Sequence, residues 1–448
     1  MMKRTLRAIV FIILFFITNI TLFSQTINLE QARIIGLANS RSLARYEMAI
    51  RSSLLDEKSQ FFSMLPQISA GYNASIYFLR NWNFVNPIDT FSAGANISIT
   101  QIIFQGGKSF IQKAINEIST ESVRIDARSE YFNVLDSIDN AYYAVLEATA
   151  TLESEESSLQ AAVLGLSIAE VRQMSGMINQ GDYLKALADK EARENSYNQA
   201  RRNLTLTMNK FKTLLDITET VELEHISFDQ YEEVILFLSS ISDEEASTLY
   251  KEFWNILVTE NPSLAKAVMN NKRAELNYTL SRRDYAPTIS ATIFGTGLNF
   301  TTEKGISSSA ESGISIRGSI PVDFWVLNNK IERSRISLDS ASIDFQNAER
   351  SLEQELQNSL FNLFSQAGSV LSSRRSLEYT KRHFDYVMER YRLGQSSVSD
   401  LNDATTLFIN SRNSSTRASF SFLQSLSKLR SMCALDDEQK LLEILLHK

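Results

Sequence analysis

The sequence contains few of the residues that interrupt regular structure or build reactive sites. Its 448 residues include 5 prolines, 15 glycines and one cysteine, Cys433. A single cysteine excludes an intramolecular disulfide and a metal site made of cysteines. The 3 histidines, His225, His383 and His447, are far apart, and none belongs to a pair with metal-ligand spacing. Because proline and glycine interrupt helices and strands most strongly, their scarcity predicts long, continuous elements.

The sequence also lacks the patterns that accompany catalysis or nucleic-acid binding. Its net charge is −7 and no block of like charge occurs, which argues against a nucleic-acid partner. Gly106-Gly107 follows a strand pattern without the rest of a dinucleotide-binding fingerprint. The residues form no serine–histidine–aspartate, metal-ligand or phosphate-loop pattern. We therefore expect neither an enzyme nor a cofactor.

The first residues resemble an export signal. Basic residues precede the apolar run Ala8–Ile17, and the small residue Ser24 follows after a second short apolar stretch. This order is typical of a secretory signal peptide, so residues 1–24 are predicted to be removed on export. A membrane-spanning helix is the weaker alternative, because Thr18 and Asn19 interrupt the run before it reaches about 20 residues.

Two pairs of segments alternate between apolar and small polar residues. They predict strands at about 67–78 and 91–103, and again at about 288–298 and 313–322. Each segment has a length close to the roughly 9–11 residues of a transmembrane β-barrel strand. A hairpin of a soluble protein would show the same alternation, so this pattern alone leaves both interpretations open.

The remaining periodicity is helical. Two helices of about 65 residues, each about 100 Å long, are predicted to turn back at a tip glycine, Gly176 or Gly394, into a shorter helix. Ser399 or Asp400 is expected to begin the second returning helix. The predicted helices are 29–64, 108–174, 182–215, 245–285, 330–393 and 400–432.

The order of elements occurs twice, about 220 residues apart. Pro66 and Pro287 both precede a strand pair, and an aspartate, Asp182 or Asp400, follows each tip glycine at the same spacing. The duplication predicts a first repeat at 25–218, a connecting equatorial segment at 219–244, a second repeat at 245–433 and a tail at 434–448.

Neither the helices nor the strands can form a closed structure within one chain. Their narrow apolar stripes suit coiled-coil-like packing against neighbours on both sides. Four strands are half of the smallest membrane barrel, and open strand edges are not tolerated in lipid. We therefore expect a cyclic oligomer in which several chains complete one barrel.

Several short motifs, in order and duplicated, carry a resemblance to a known family. The chain resembles the TolC-type outer-membrane efflux and secretion channels over essentially the whole mature sequence. The matching motifs are Leu29–Ala32, Leu65–Gln67, Phe104–Gly107, Ala141–Tyr143, Asn261–Leu264, Tyr391–Gly394 and Asp400–Ala404.

The resemblance implies a mainly α fold with a small membrane β-barrel. Its duplicated helix–strand–strand–helix–hairpin repeats would form, in a homotrimer, a twelve-stranded barrel in the outer membrane and a periplasmic α-barrel. Such a channel conducts substrates passively in a tripartite efflux or type I secretion system. Its partners would be outer-membrane lipid, a periplasmic adaptor and an inner-membrane pump of the RND or ABC type. The cargo stays open between drugs, metal ions and polypeptides.

The resemblance also implies a periplasmic entrance at the hairpin tips. Asp400 and Asp403 match positions that ring the closed entrance and select cations, and Tyr391 matches a position that holds the closed state. Glu170 is the expected acceptor for the Tyr391 hydroxyl, whereas Ser396 departs from relatives with arginine there. As an alternative, Asp400 is only a helix N-cap and Asp403 only a first-turn partner of the helix dipole.

A periplasmic coiled-coil scaffold or adaptor is the competing function. It would account for the helices and the signal peptide. It would not account for four alternating strands at two equivalent places.

Overall fold

The structure is a computed structural model that describes residues 25–77, 90–219, 221–301, 305–307 and 311–446. The predicted signal peptide lies outside these residues, as do parts of the two loops expected between paired strands. Within the described ranges, no helix is long and apolar enough to cross a membrane.

Helices make up most of the described chain. In chain order they are α1 (Leu29–Asn39), α2 (Arg41–Phe62), α3 (Lys108–Met174), α4 (Gln180–Leu215), α5 (Glu232–Ser239), α6 (Asp243–Glu260), α7 (Pro262–Arg282), α8 (Phe324–Arg392), α9 (Val398–Met432) and α10 (Glu438–Leu445). Single 3-10 turns lie at Asp229–Tyr231 and Arg283–Tyr285.

The strands are fewer and shorter. They are β1 (Gln25–Ile27), β2 (Gln67–Tyr77), β3 (Thr90–Phe104), β4 (Val221–Leu223), β5 (Thr288–Thr301), β6 (Gly305–Ser307) and β7 (Glu311–Ser319). Each of the four predicted strands thus has a counterpart, whereas β1, β4 and β6 were not predicted.

Two helices that the sequence predicts as continuous are each divided in two. Ser40 separates α1 from α2 with extended backbone, φ −64° and ψ 113°. Asn261 caps α7 by accepting hydrogen bonds from the backbone N–H groups of Ser263 and Leu264, and Pro262 occupies the first turn. Proline is well suited to that first turn because it has no N–H to leave unsatisfied. The prediction of one helix at 29–64 and one at 245–285 is therefore wrong at these two positions.

The chain forms two compact units. One comprises the described residues up to Arg41 with Glu130–Val258 and everything from Gln354 on, and the other comprises Ser42–Ser129 and Thr259–Glu353. The first is the hairpin unit and the second is the sheet unit.

The sheet unit contains a five-stranded antiparallel sheet. β2 pairs with β3, β3 pairs with β5, and both β6 and β7 pair with the other side of β5. The register places Ile68, Ile99, Ile293 and Ile314 in one row across the four long strands. All four isoleucines are exposed, with Ile68 and Ile314 at 75% and 73%. One face of the sheet is thus apolar and bare in the single chain.

The opposite face of the sheet is polar. The Ser69 and Ser98 hydroxyls lie 2.7 Å apart, and the Thr100 and Thr292 hydroxyls lie 3.1 Å apart. Small hydroxyl side chains that pair across strands stabilise such a face without filling the space above it.

The hairpin unit ties the first described residues to the middle of the chain. β1 and β4 form a short parallel pair, and the buried Tyr142 hydroxyl shares its proton between the carbonyls of Glu224 (2.7 Å) and Ile27 (3.1 Å). Burial raises the pKa of Tyr142 to about 12, so the hydroxyl remains a donor at neutral pH.

A buried cluster of charges lies in the same unit. The Asp139 carboxylate is fully buried and accepts from Arg33 Nε at 2.6 Å and from Arg430 Nη2 at 2.6 Å. Arg33 also pairs with Glu438 at 3.0 Å, and the Ser427 hydroxyl donates to Asp139 at 2.9 Å. Two guanidinium groups thus face two carboxylates, and the cluster connects α1, α3, α9 and α10.

Candidate functional site

The two hairpin tips are built in the same way. α3 ends before Gly176 and α8 ends before Gly394, with φ of +70° and +80° at the two glycines. In each tip the glycine N–H bonds a carbonyl three residues back, and the next N–H bonds one five residues back. This is the Schellman arrangement, in which a left-handed residue satisfies the last carbonyls of a helix.

The returning helices begin with side-chain caps. Ser397 caps α9 by accepting from the Asp400 N–H (3.1 Å), and the Asp400 carboxylate accepts from the Ser397 N–H (2.9 Å). At the first tip, Asn179 accepts from the Asp182 N–H at 2.8 Å. The prediction that Ser399 or Asp400 begins α9 is wrong, because the Ser397 hydroxyl reaches the third residue of the helix first.

Asp400 is exposed, and hydrogen bonds to its carboxylate from the backbone N–H and the side chain of Ser397 lower the pKa of that carboxyl group. A carboxylate that accepts a backbone N–H is stabilised in its charged form. Asp403 is exposed one turn further along α9, on the same side of the helix as Asp400. The second tip therefore presents two adjacent carboxylates to solvent.

Tyr391 is fully buried, in contrast to the two aspartates. Its hydroxyl donates to the Gly165 carbonyl of α3 at 3.2 Å, and burial raises its pKa. Glu170 is exposed to solvent. The expected bond from Tyr391 to Glu170 is therefore wrong within the chain, because the single hydroxyl proton is directed at the α3 backbone.

Arg172 is the tip residue that the sequence analysis missed. Its guanidinium lies 4.5 Å from the centre of the Tyr391 ring and donates to the Tyr391 carbonyl. A Cβ atom at Gly394 would lie 3.5 Å from Arg172 Nη2. A basic residue in the last turn of a predicted helix is the one available signal, since cations are favourable there.

An apolar cluster holds the two tips of one chain together. It contains side chains from α3, α4, α8 and α9, and its buried members are Ala169, Ala186, Val387, Met388, Tyr391, Val398, Leu401 and Ala404.

Polar contacts extend the junction between the hairpins. Lys185 Nζ donates to the Ser399 hydroxyl at 2.8 Å. Arg193 donates to Asn402 at 3.0 Å and to Thr406 at 2.6 Å. Both contacts join α4 to α9, so the returning helices of the two hairpins are in direct contact.

Among the described residues, no three histidine, cysteine, aspartate or glutamate side chains lie close enough together to hold a metal ion. Burial raises the pKa of Cys433 to about 12, which keeps its thiol protonated and unreactive.

A family model described as "Outer membrane efflux protein" matches residues 36–215 and 255–434 of this sequence. The chain belongs to the outer membrane efflux protein family. The family predicted from the sequence is confirmed, and the two matches correspond to the two copies of the duplicated element order.

Individual members of the efflux family are similar over most of their length. Outer membrane protein TolC of Escherichia coli strain K12 is 21% identical over 408 residues, which cover 85% of this chain and 77% of that protein. The Campylobacter jejuni CmeC outer membrane channel has a TM-score of 0.76 at 14% identity, covering 93% and 88% of the two chains. The open state of the Neisseria gonorrhoeae MtrE outer membrane channel has a TM-score of 0.71 at 15% identity, covering 91% and 89%.

These likenesses establish the fold class and the location of this efflux-family chain. It is an outer-membrane protein with the mainly helical fold of the TolC-like channels, as the sequence predicts. Its homologues are channels and not enzymes.

Proposed function

We propose that three copies of this chain form the exit duct of a tripartite efflux or type I secretion system. The observation that carries the proposal is the sheet, which has an exposed apolar face and two open edges. Among the described residues, β2 is paired only with β3 and β7 is paired only with β5, so each leaves one edge without a partner strand. Lipid does not tolerate open edges, so the sheet requires other copies. Four long strands from each of three copies give a closed barrel of twelve strands.

Substrates would pass this duct passively, from a periplasmic helical tunnel to the exterior. A periplasmic adaptor and an inner-membrane pump of the RND or ABC type would load it from below. The exposed serine and glutamines at the tips, Ser175, Gln180 and Gln395 among them, offer hydrogen-bonding groups for the adaptor. A periplasmic scaffold is disfavoured, because it would leave the apolar face of the sheet in water.

The entrance would lie at the tips, with Asp400 and Asp403 as its selective residues. In a trimer, six carboxylates would surround one axis and attract cations before any neutral or anionic solute. Mutual repulsion would raise the pKa of the Asp400 carboxyl, against the lowering that Ser397 provides within each chain. Tyr391, which joins α8 to α3 through its bond to Gly165, would fix the closed arrangement of the tips.

The test is single-channel conductance of the detergent-extracted protein in a planar bilayer, with and without La³⁺ on the periplasmic side. We expect a cation-selective pore that La³⁺ blocks. In the double variant Asp400→Ala/Asp403→Ala, the La³⁺ concentration for half block should rise by roughly tenfold or more, since the charges that bind it are gone.

Asp385→Ala is the matched control, because Asp385 is also an exposed carboxylate but lies on α8, in the turns that precede the same tip. It should leave the block unchanged. A pore that is indifferent to the double variant would leave Asp400 only its capping bonds with Ser397 and Asp403 only its place on the exposed face of α9. A soluble monomer without conductance would reject the channel altogether.

A further inference from the structure

The polar face of the sheet carries very little charge. Among the residues of β2, β3, β5 and β7, the charged side chains are Glu311 and Arg317, both on β7. The rest of the polar face consists mainly of serine, threonine, asparagine and glycine. A single basic side chain therefore dominates the potential around it.

The strand register places Arg317 on the polar face. Arg317 lies opposite Ser290 of β5, and Ser315 lies opposite Thr292, whose hydroxyl bonds Thr100 on that same face. The neighbours Ile314 and Ile316 point to the apolar face, and both are 73% exposed in the single chain. Because side chains alternate along a strand, Arg317 is directed away from the lipid side.

The two charges of β7 lie at opposite ends of the strand. Glu311 is opposite Thr296, whereas Arg317 lies two residues before the end of the strand, on the side that continues into α8. Six residues of extended chain separate them by about 20 Å. At this distance their fields overlap little at ordinary ionic strength, since the Debye length is about 8 Å at 0.15 M salt.

We propose that Arg317 sets the ionic selectivity of the barrel section, as a ring of three basic side chains that favours anions. This inference rests on the proposed function, because the ring exists only if three copies close the barrel around water. The guanidinium is exposed and has no hydrogen bond or ion pair to a described residue, so its charge is free to act on a passing solute. A positive ring in a pore excludes cations and admits anions.

The proposed channel would thus have two filters of opposite sign. Acidic side chains would favour cations at the periplasmic entrance, and Arg317 would favour anions where the helices lead into the sheet. Solutes that carry both charges, or neither, would pass both points most easily. The chemical class that fits is a zwitterionic or neutral solute.

The test uses the full chain with the entrance charges removed, in an Asp400→Asn/Asp403→Asn background, so that the barrel section determines selectivity. The reversal potential is measured in a planar bilayer under a KCl gradient. Arg317→Gln should raise the ratio of K⁺ to Cl⁻ permeability about twofold at 0.1 M salt, and Arg317→Lys should leave it near the background value. The effect should fade towards 1 M salt, where the Debye length is about 3 Å.

Ser319→Gln is the matched control, because it places the same amide two residues along the same face and removes no charge. Equal reversal potentials for Arg317→Gln and Ser319→Gln would overturn the proposal. Absence of conductance in the wild-type protein would instead reject the proposed function, so the two failures are distinguishable.

A second variant tests the position of residue 317 by chemistry. Arg317→Cys is treated with water-soluble methanethiosulfonates that attach either a trimethylammonium or a sulfonate group, while Cys433 stays inert because it is buried. The cationic reagent should restore the background selectivity, and the anionic reagent should increase cation preference further. If neither reagent modifies the thiol introduced at position 317 of the folded channel, that position lies outside the water-filled face and the proposal is overturned.

Discussion

Arg172 gives the junction between the two tips its specific geometry. It lies in the last turn of α3 and donates to the carbonyl of Tyr391, in the last turn of α8. The carboxyl end of a helix carries partial negative charge, so a buried cation there is stabilised by the dipole and by the Tyr391 ring together. The side chain thus extends from the last turn of one hairpin helix and holds the last turn of the other.

We expect Arg172→Ala to loosen the second tip by about 2 kcal/mol, from the loss of a charged hydrogen bond and a cation–π contact. Hydrogen exchange of the amides at 387–393 should become about 30-fold faster. Arg172→Lys should be intermediate, because a lysine keeps the charge but loses the planar stacking.

Arg382→Ala serves as the control, since Arg382 is exposed on α8 and pairs with Glu378 of the same helix. Equal exchange rates in the Arg172 and Arg382 variants would show that the tip is held by the apolar cluster alone.

On the scale of elements, the Asp139 cluster connects helices that are far apart in the sequence. It joins α1, α3, α9 and α10, and Arg430 within it is almost fully buried. Removing one partner from a buried ion pair leaves the other charge without compensation, which typically costs about 3–5 kcal/mol.

Asp139→Asn should therefore lower the free energy of unfolding by about 3–5 kcal/mol, measured by denaturant titration in detergent. Glu355→Gln, which breaks the exposed pair with Lys428 at 3.4 Å, should cost less than about 1 kcal/mol. If both variants unfold at the same denaturant concentration, the cluster contributes no more than a surface pair.

The sequence predicts the long elements well and the junctions between them poorly. Alternation and proline positions located β2, β3, β5 and β7, and the tip glycines located the ends of α3 and α8. The helix boundary at Ser40 was not predicted, because serine is compatible with a helix and its role as a boundary depends on packing. The pair Asn261-Pro262, by contrast, is a recognisable helix N-cap. It was not used as a boundary, because the helical periodicity continues across it.

The candidate site was predictable only where its signal is local. The aspartates and glycines of the tips occur at repeated spacings, so they could be found. The contact of Tyr391 with Gly165 joins residues from different hairpins, and no sequence spacing encodes it. The helix α10 in the predicted tail was missed for the same reason, since Glu438 is held by Arg33 from the other end of the chain.

For the whole molecule, the two faces of the sheet have different requirements. Ile314 belongs to the exposed apolar row, and Ser315 belongs to the polar face. Ile314→Lys should reduce trimer assembly in the outer membrane severely, because a lysine on the lipid face costs up to about 2–4 kcal/mol per chain, the most at the bilayer midplane.

Ser315→Lys should assemble normally, because its side chain would face water. Trimer content is measured by gel mobility of unheated outer-membrane extracts. Equal assembly of the two variants would mean that the faces have been assigned to the wrong sides.

The pairing of β3 with β5 determines when a new chain can be inserted. These strands come from different halves of the chain, with Ile99 beside Ile293. The first half alone can offer only the β2–β3 hairpin, and an isolated two-stranded hairpin is marginal in water. Long-range pairing of this kind is also slow to form. Synthesis as far as Thr301, the end of β5, therefore precedes the first stable sheet, and the exported chain must stay soluble and unaggregated until then.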